Sequence, residues 1–172
     1  DRAAADLIAR LERIDAHQVD EVVSMWRCSR NESRRRLKDD PSTEIHSDTA
    51  GGTRNSSAGT WHVSHIAEHY PNFVKLLNKW MWSQLEPNAR KHFRCTTLSI
   101  NHYFRAQRHR DQNNAGMSVT DSFGRFPGGW LCTWPDDQGP KKQDKFALRS
   151  WDSAVYDTYR QAILFNSNQT HE

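Results

Sequence analysis

At 172 residues the chain suits a single domain, long enough to bury a real core. Its 24 basic and 21 acidic residues leave a net charge of +3, too small to argue for nucleic acid by itself. The hydrophobic fraction of 35% is low for a globular chain, but seven Trp and seven Phe partly offset it because each ring buries a large area. Three cysteines (Cys28, Cys95, Cys132) lie far apart with no C-x-x-C. An odd count argues against a disulfide framework and suits a reducing, intracellular compartment, cytoplasmic or nuclear. No apolar run of about 18 residues and no signal-peptide pattern occur, so no membrane partner is expected. A start at Asp1 leaves a lost targeting segment open.

The first elements read as helical. Leu7, Ile8, Leu11 and Ile14 fall at helical spacing, and Val19, Val22, Val23 and Trp26 continue a second stripe. A break at Asp15 to Gln18 makes this two helices or one bent helix. Arg34-Arg35-Arg36 closes the segment. Three adjacent cations invite a nucleic-acid reading, but a solvated helix end, where cations suit the dipole, is the preferred one. Asp39 to Thr60 is rich in Asp, Ser, Thr, Gly and Asn, which predicts a flexible loop with one short strand around Glu44 to His46. Pro71 then starts a helix with Phe73, Val74, Leu76, Leu77, Trp80 and Met81 on a broad apolar face, ending near Leu85 before Pro87. That Trp and Met stripe is read as core.

Beyond Phe93 the period changes from helix to strand. Leu98, Ile100, His102 and Phe104 alternate with Thr97, Ser99, Asn101 and Tyr103. Ser118 to Phe123, Trp130 to Trp134, Lys145 to Trp151 and Gln161 to Phe165 read as further strands, with turns at Phe126-Pro127-Gly128-Gly129 and Asn166-Ser167-Asn168. Helices first and strands later predict an α+β fold, with an N-terminal helical region over 1–92 supporting a β core over 93–172.

Chemistry concentrates in the second region. His109 and Asp111 form an H-x-D, and side chains two apart on a strand share a face. With His171 they supply two imidazoles and one carboxylate, the ligand set that leaves the opposite positions of an iron open in non-heme Fe(II) oxygenases. A competing cluster is His62, His65 and His69, whose spacing would stack three imidazoles on one helix face and could hold Zn²⁺. A solvated histidine stripe is the commoner outcome of such spacing.

The run from Ile100 through Ser118 contains His-x-Asp-x-x-Asn-x-Gly-x-Ser without a break (His109, Asp111, Asn114, Gly116, Ser118), and Gly124 to Gly129 follows as G-x-F-x-G-G. Over residues 93–172 the chain resembles the Fe(II)/2-oxoglutarate-dependent dioxygenase superfamily. The nearest likeness is to thymine-hydroxylase and methylcytosine-oxygenase-like sequences of algae and dinoflagellates, or to prolyl-hydroxylase-like ones. The resemblance implies a double-stranded β-helix (a cupin-like jelly roll), which would bring His171 beside His109 from a distant strand. It implies Fe(II) held by His109, Asp111 and His171, and 2-oxoglutarate as co-substrate near Asn101 and Tyr103. Asn114 and Ser118 are expected to brace the loop after the H-x-D. The implied reaction couples decarboxylation of 2-oxoglutarate to succinate and CO₂ with oxidation of a nucleic acid, protein side chain or small molecule, and fold alone does not choose among these. The rival class is a non-catalytic binding or scaffold domain that retains the fold.

One departure stands out. The family carries an Arg about ten residues past the distal His, suited by its planar fork to a carboxylate, and this sequence stops at Glu172. The chain is therefore expected to be a C-terminally truncated fragment of the β-helix, inactive on its own.

Overall fold

The computed structural model describes residues 1–10, 15–29, 46–54, 58–102, 104–111, 114–124 and 126–172. Leu11 and Ile14 of the first stripe, Arg34 to Arg36, Glu44 of the expected short strand, and Tyr103 lie outside the described residues. The architecture is mixed α and β with small antiparallel sheets, and among the described residues these close no barrel. No helix among them is long and apolar enough to cross a membrane.

Contacts divide the chain into two compact units at Phe104/Arg105, against the 92/93 division expected from the sequence. The difference comes from one strand, Thr97–His102, which belongs with the first unit because its whole length pairs with His46–Gly51.

The first unit contains α1 (Arg2–Arg10), α2 (Ala16–Ser24), β1 (His46–Arg54), β2 (Trp61–Val63), α3 (His65–His69), α4 (Pro71–Gln84), α5 (Pro87–His92) and β3 (Thr97–His102). Asp15 settles the break in the helical pattern: its carboxylate accepts from His17 N at 2.8 Å and caps α2, which starts at Ala16. Pro71 opens α4 as expected, and Phe73, Leu76, Leu77 and Trp80 are buried along it beside Leu7 of α1 and Val19 of α2. Trp26 stacks on Phe73 with ring centroids 4.4 Å apart and donates its indole N–H to Asp48 at 2.9 Å. The segment expected to be a loop instead carries β1 in the middle of an antiparallel sheet ordered β2-β1-β3. Its small residues are the reason: Ser47 and Ala50 are buried, and Gly51 adopts φ +102° where a Cβ would collide with the Thr96 carbonyl. Glycine here permits close strand approach rather than a turn.

The second unit contains β4 (Ser118–Thr120), β5 (Trp130–Thr133), β6 (Ala154–Asp157) and β7 (Ile163–Phe165), paired antiparallel as β4 with β7 and β5 with β6. The expected strand at Lys145 to Trp151 is not one. Lys145–Ala147 and Ser150–Asp152 are 3-10 turns, the first capped by the Asp144 carboxylate accepting from Phe146 N at 3.0 Å. Polar side chains here offer the backbone a local alternative to a ladder, and the strand falls at Ala154–Asp157. Beyond β7 the chain passes between two neighbours. His171 bridges His109 on one side and Thr133 on the other, and Trp134 N donates to Thr170 O at 3.0 Å. Trp134 beneath this layer is 1% exposed, the largest fully buried side chain described.

Candidate metal centre

His109 forms an isolated antiparallel bridge outside the named strands, Asp111 follows two residues later, and Arg110 between them turns to Asp137. The antiparallel bridge sets His171 opposite His109, with each backbone N–H donating to the other's carbonyl at 2.9 Å. Their rings are therefore neighbours, 4.2 Å between centroids. His109 Nε2 lies 3.5 Å from Asp111 Oδ1. One donor atom from each of His109, Asp111 and His171 falls within 4.8 Å of the others, and no other described residues form such a group.

The histidine tautomers follow from chemistry. Nδ1 of His109 lies 2.7 Å from the Gln107 carbonyl, and Nδ1 of His171 lies 2.9 Å from that of Gln169. A carbonyl only accepts, so each Nδ1 must carry the proton, which leaves each neutral ring's lone pair on Nε2. The same two-residue reach is used twice, and it is the arrangement that orients metal-ligating imidazoles. Asp111 is braced at its other oxygen, where Asn114 donates at 3.1 Å. Asn114 also donates to Ser167 Oγ at 2.7 Å, and Ser167 shares a hydrogen bond with Ser118 at 2.7 Å. Asn114 thus does more than brace a loop, since it fixes the carboxylate itself. Phe165 sets its ring edge-on to His171 at 5.1 Å.

Protonation is unequal across the cluster. The bond to Asp111 raises the His109 pKa above the ordinary histidine value, burial opposing and the Gln107 carbonyl helping. Burial lowers that of His171, and repulsion from His109 reinforces it. Asp111 is lowered chiefly by its bond to His109, against the effect of burial. His171 is buried, while His109 and Asp111 are partly open to solvent, so the cluster is reachable from one side.

Comparison with protein-family models, curated proteins and solved structures finds no match for this chain. The site is therefore read from its own atoms. Two imidazoles and one carboxylate, each with a donor atom within 4.8 Å of the others, could hold a divalent first-row metal with positions left for other ligands.

The remaining sequence-derived candidates fall elsewhere. Asn101 stands on β3 in the first unit, where its side-chain oxygen accepts from the Ser47 hydroxyl at 2.9 Å. Tyr103 is outside the described residues. The His62, His65, His69 stripe does not form on one helix: His62 sits on β2 with Nε2 2.7 Å from Thr53 Oγ1, and only His65 and His69 meet, edge to face on α3. Sequence reasoning missed Gln107, Gln169 and Ser167, which act through local geometry. It also missed Asp137, whose Asp-Asp-Gln-Gly context reads as a solvated turn. Asp137 is instead fully buried against Arg110.

Proposed function

We propose that His109, Asp111 and His171 are the metal ligands of an Fe(II)/2-oxoglutarate-dependent oxygenase, on a core of the double-stranded β-helix type. The observation that carries the reading is the pair of imidazoles pinned at Nδ1 by backbone carbonyls, with one donor atom from each of His109, Asp111 and His171 within 4.8 Å of the others. The unbroken His109 to Ser118 motif adds the choice of iron over other metals.

In this reading His109 and His171 would hold the metal through ring nitrogens and Asp111 through a carboxylate oxygen. Iron with 2-oxoglutarate supplies activation of O₂, with succinate and CO₂ as co-products. The chain's own residues do the rest. Asn114 keeps Asp111 from rotating away, Phe165 limits rotation of the His171 ring, and the exposed side of His109 and Asp111 admits co-substrate and substrate. Pre-oriented ligands spare the site reorganisation when metal binds.

Anaerobic titration with Fe(II), Mn(II) and Zn(II), followed by 2-oxoglutarate, tests this. Binding of Fe(II) with a visible charge-transfer absorption that appears only when 2-oxoglutarate is added supports the oxygenase reading. Metal binding with no response to 2-oxoglutarate moves the site to a hydrolytic or structural metal centre, and no binding at all favours the non-catalytic class.

A further inference from the structure

The back of the candidate metal centre is unusual for so small a unit. Asp137 has a fully buried side chain, and Arg110, its partner, is 10% exposed. Both Asp137 oxygens meet the Arg110 fork at 2.6 Å, and Arg110 Nη2 also donates to the Gln143 carbonyl at 3.0 Å. The same carboxylate accepts from the backbone N–H and the hydroxyl of Thr170, each at 2.6 Å, and from Gly139 N at 2.9 Å.

The residues joined in this way have a common property. Arg110 stands between His109 and Asp111, and Thr170 stands immediately before His171. Asp137 therefore grips both ligand-bearing strands from the face opposite the ligands. The two segments are also joined by one reciprocal pair of backbone bonds between His109 and His171, by Asp111 N to Ser167 O at 2.8 Å and by Arg108 to Glu172 at 3.4 Å, while a reciprocal Cys132–Glu172 pair and Trp134 N to Thr170 O hold the far side of the His171 segment; Asp137 is the buried side chain that bonds to both. A slip of one residue would turn every side chain to the other face and break up the triad.

We infer that Asp137 is a positioning residue for the candidate metal centre, locking through Arg110 and Thr170 the strand register that sets His109 and Asp111 opposite His171. The inference rests on reading the triad as a metal site. A buried Arg–Asp pair is a weak way to gain stability, since its attraction is offset by desolvation, and fixing register is its best-attested use. The Thr170 bonds satisfy lone pairs that the buried carboxylate would otherwise leave unpaired, and because they come from the residue before His171 they also tie that segment to Arg110.

The test uses Co(II) as probe with Asp137→Asn, Thr170→Val and Thr170→Ser. It reads Co(II) affinity, the ligand-field spectrum at saturating metal, and amide hydrogen exchange of the metal-free protein. Thr170→Val should weaken Co(II) binding about tenfold and Asp137→Asn by about 10- to 100-fold, the range for residues that orient ligands. Thr170→Ser, which keeps the hydroxyl, should bind as the parent does. At saturation the Asp137→Asn spectrum should differ from that of the parent, which global destabilisation does not produce. If Asp137→Asn fails to fold, Thr170→Val against Thr170→Ser decides the matter. Without metal, the His109 and His171 amides should lose protection in Asp137→Asn or Thr170→Val while those of the β4–β7 pair keep theirs. Folded variants with parental affinity, spectrum and protection overturn the inference. A parent that binds no Co(II) overturns the metal reading instead, and the amide protection then still supports or overturns the register lock.

Discussion

His109 and His171 exchange both of their backbone hydrogen bonds at 2.9 Å, and their rings stand 4.2 Å apart on one face of the sheet. Each ring is tied back by Nδ1 to its own strand, so the pair is oriented twice, once by the ladder and once by the side chain. Asp111 follows two residues after His109 in the same bridged segment. The cluster is thus built on isolated antiparallel bridges and local side-chain bonds, and its properties can be tested one interaction at a time.

The two histidines should titrate apart in the metal-free protein. His109 is raised by its bond to Asp111 and His171 is lowered by burial, so NMR titration of the imidazole C–H signals should give one midpoint above and one below the ordinary value of about 6.5. For stability, the raised His109 contributes fully below about pH 6.5, and that contribution is lost as pH rises through its folded midpoint. The lowered His171 acts oppositely, since the unfolded chain takes up its proton first and stability falls as pH drops below about 6.5. Asp111, lowered in the fold, stabilises above about pH 4, and this is lost on further acidification. Metal binding requires both rings neutral, so on acidification affinity should begin to weaken at a higher pH than an ordinary histidine would set. Two coincident midpoints at the ordinary value would contradict the described contacts.

Asn114→Ala removes the donor to Asp111 Oδ2 and Ser167 Oγ. Loss of these bonds should cost about 1 kcal/mol of stability, measured by urea unfolding. Because Asp111 is then free to rotate, metal affinity should fall about tenfold or more. Asn114→Asp keeps the size but places a second carboxylate against Asp111, and should destabilise the metal-free protein more than the alanine does. Equal stability of all three would mean that the Asn114 amide does not face Asp111.

Legibility in the sequence was uneven for physical reasons. His109 and Asp111 were readable because a period of two needs no tertiary knowledge, and α4 because Pro71 and a broad apolar stripe mark it at both levels. Strand β1 was not readable, since Gly51 and Gly52 signal a turn in sequence and only the approach of the Thr96 backbone makes them strand residues. Lys145 to Trp151 failed in the opposite direction, because its aromatic content suggested a strand that Asp144 capping turned into a 3-10 turn. Asp137 was hidden by its neighbours, as nothing local distinguishes a buried carboxylate from an exposed one in a turn. Pairing of His171 with His109 is a long-range fact, and residue types alone did not specify it.

Two of the three tryptophans of the second unit, Trp134 and Trp151, should differ sharply. Trp134 is 1% exposed, donates its indole N–H to the Arg149 carbonyl at 2.8 Å and lies 4.0 Å beneath the Arg108 guanidinium. Trp134→Ala should cost about 3–5 kcal/mol through lost burial and a cavity. Trp151, at 77% exposed, should cost less than about 0.5 kcal/mol when replaced by alanine. Chemical denaturation of both variants decides it, and similar losses would contradict the described core.

The measurement that bears most directly on the central claim is an anaerobic Fe(II) or Mn(II) titration of the parent chain beside His109→Ala, Asp111→Ala, His171→Ala and His65→Ala. The parent and His65→Ala should bind one metal ion with the same affinity. Each of the other three should lose more than about 100-fold, beyond the 10–100-fold that outer-shell changes cost. Equal loss in His65→Ala would move the site to α3, and undiminished binding in His171→Ala would contradict a centre built on the pairing of His109 with His171.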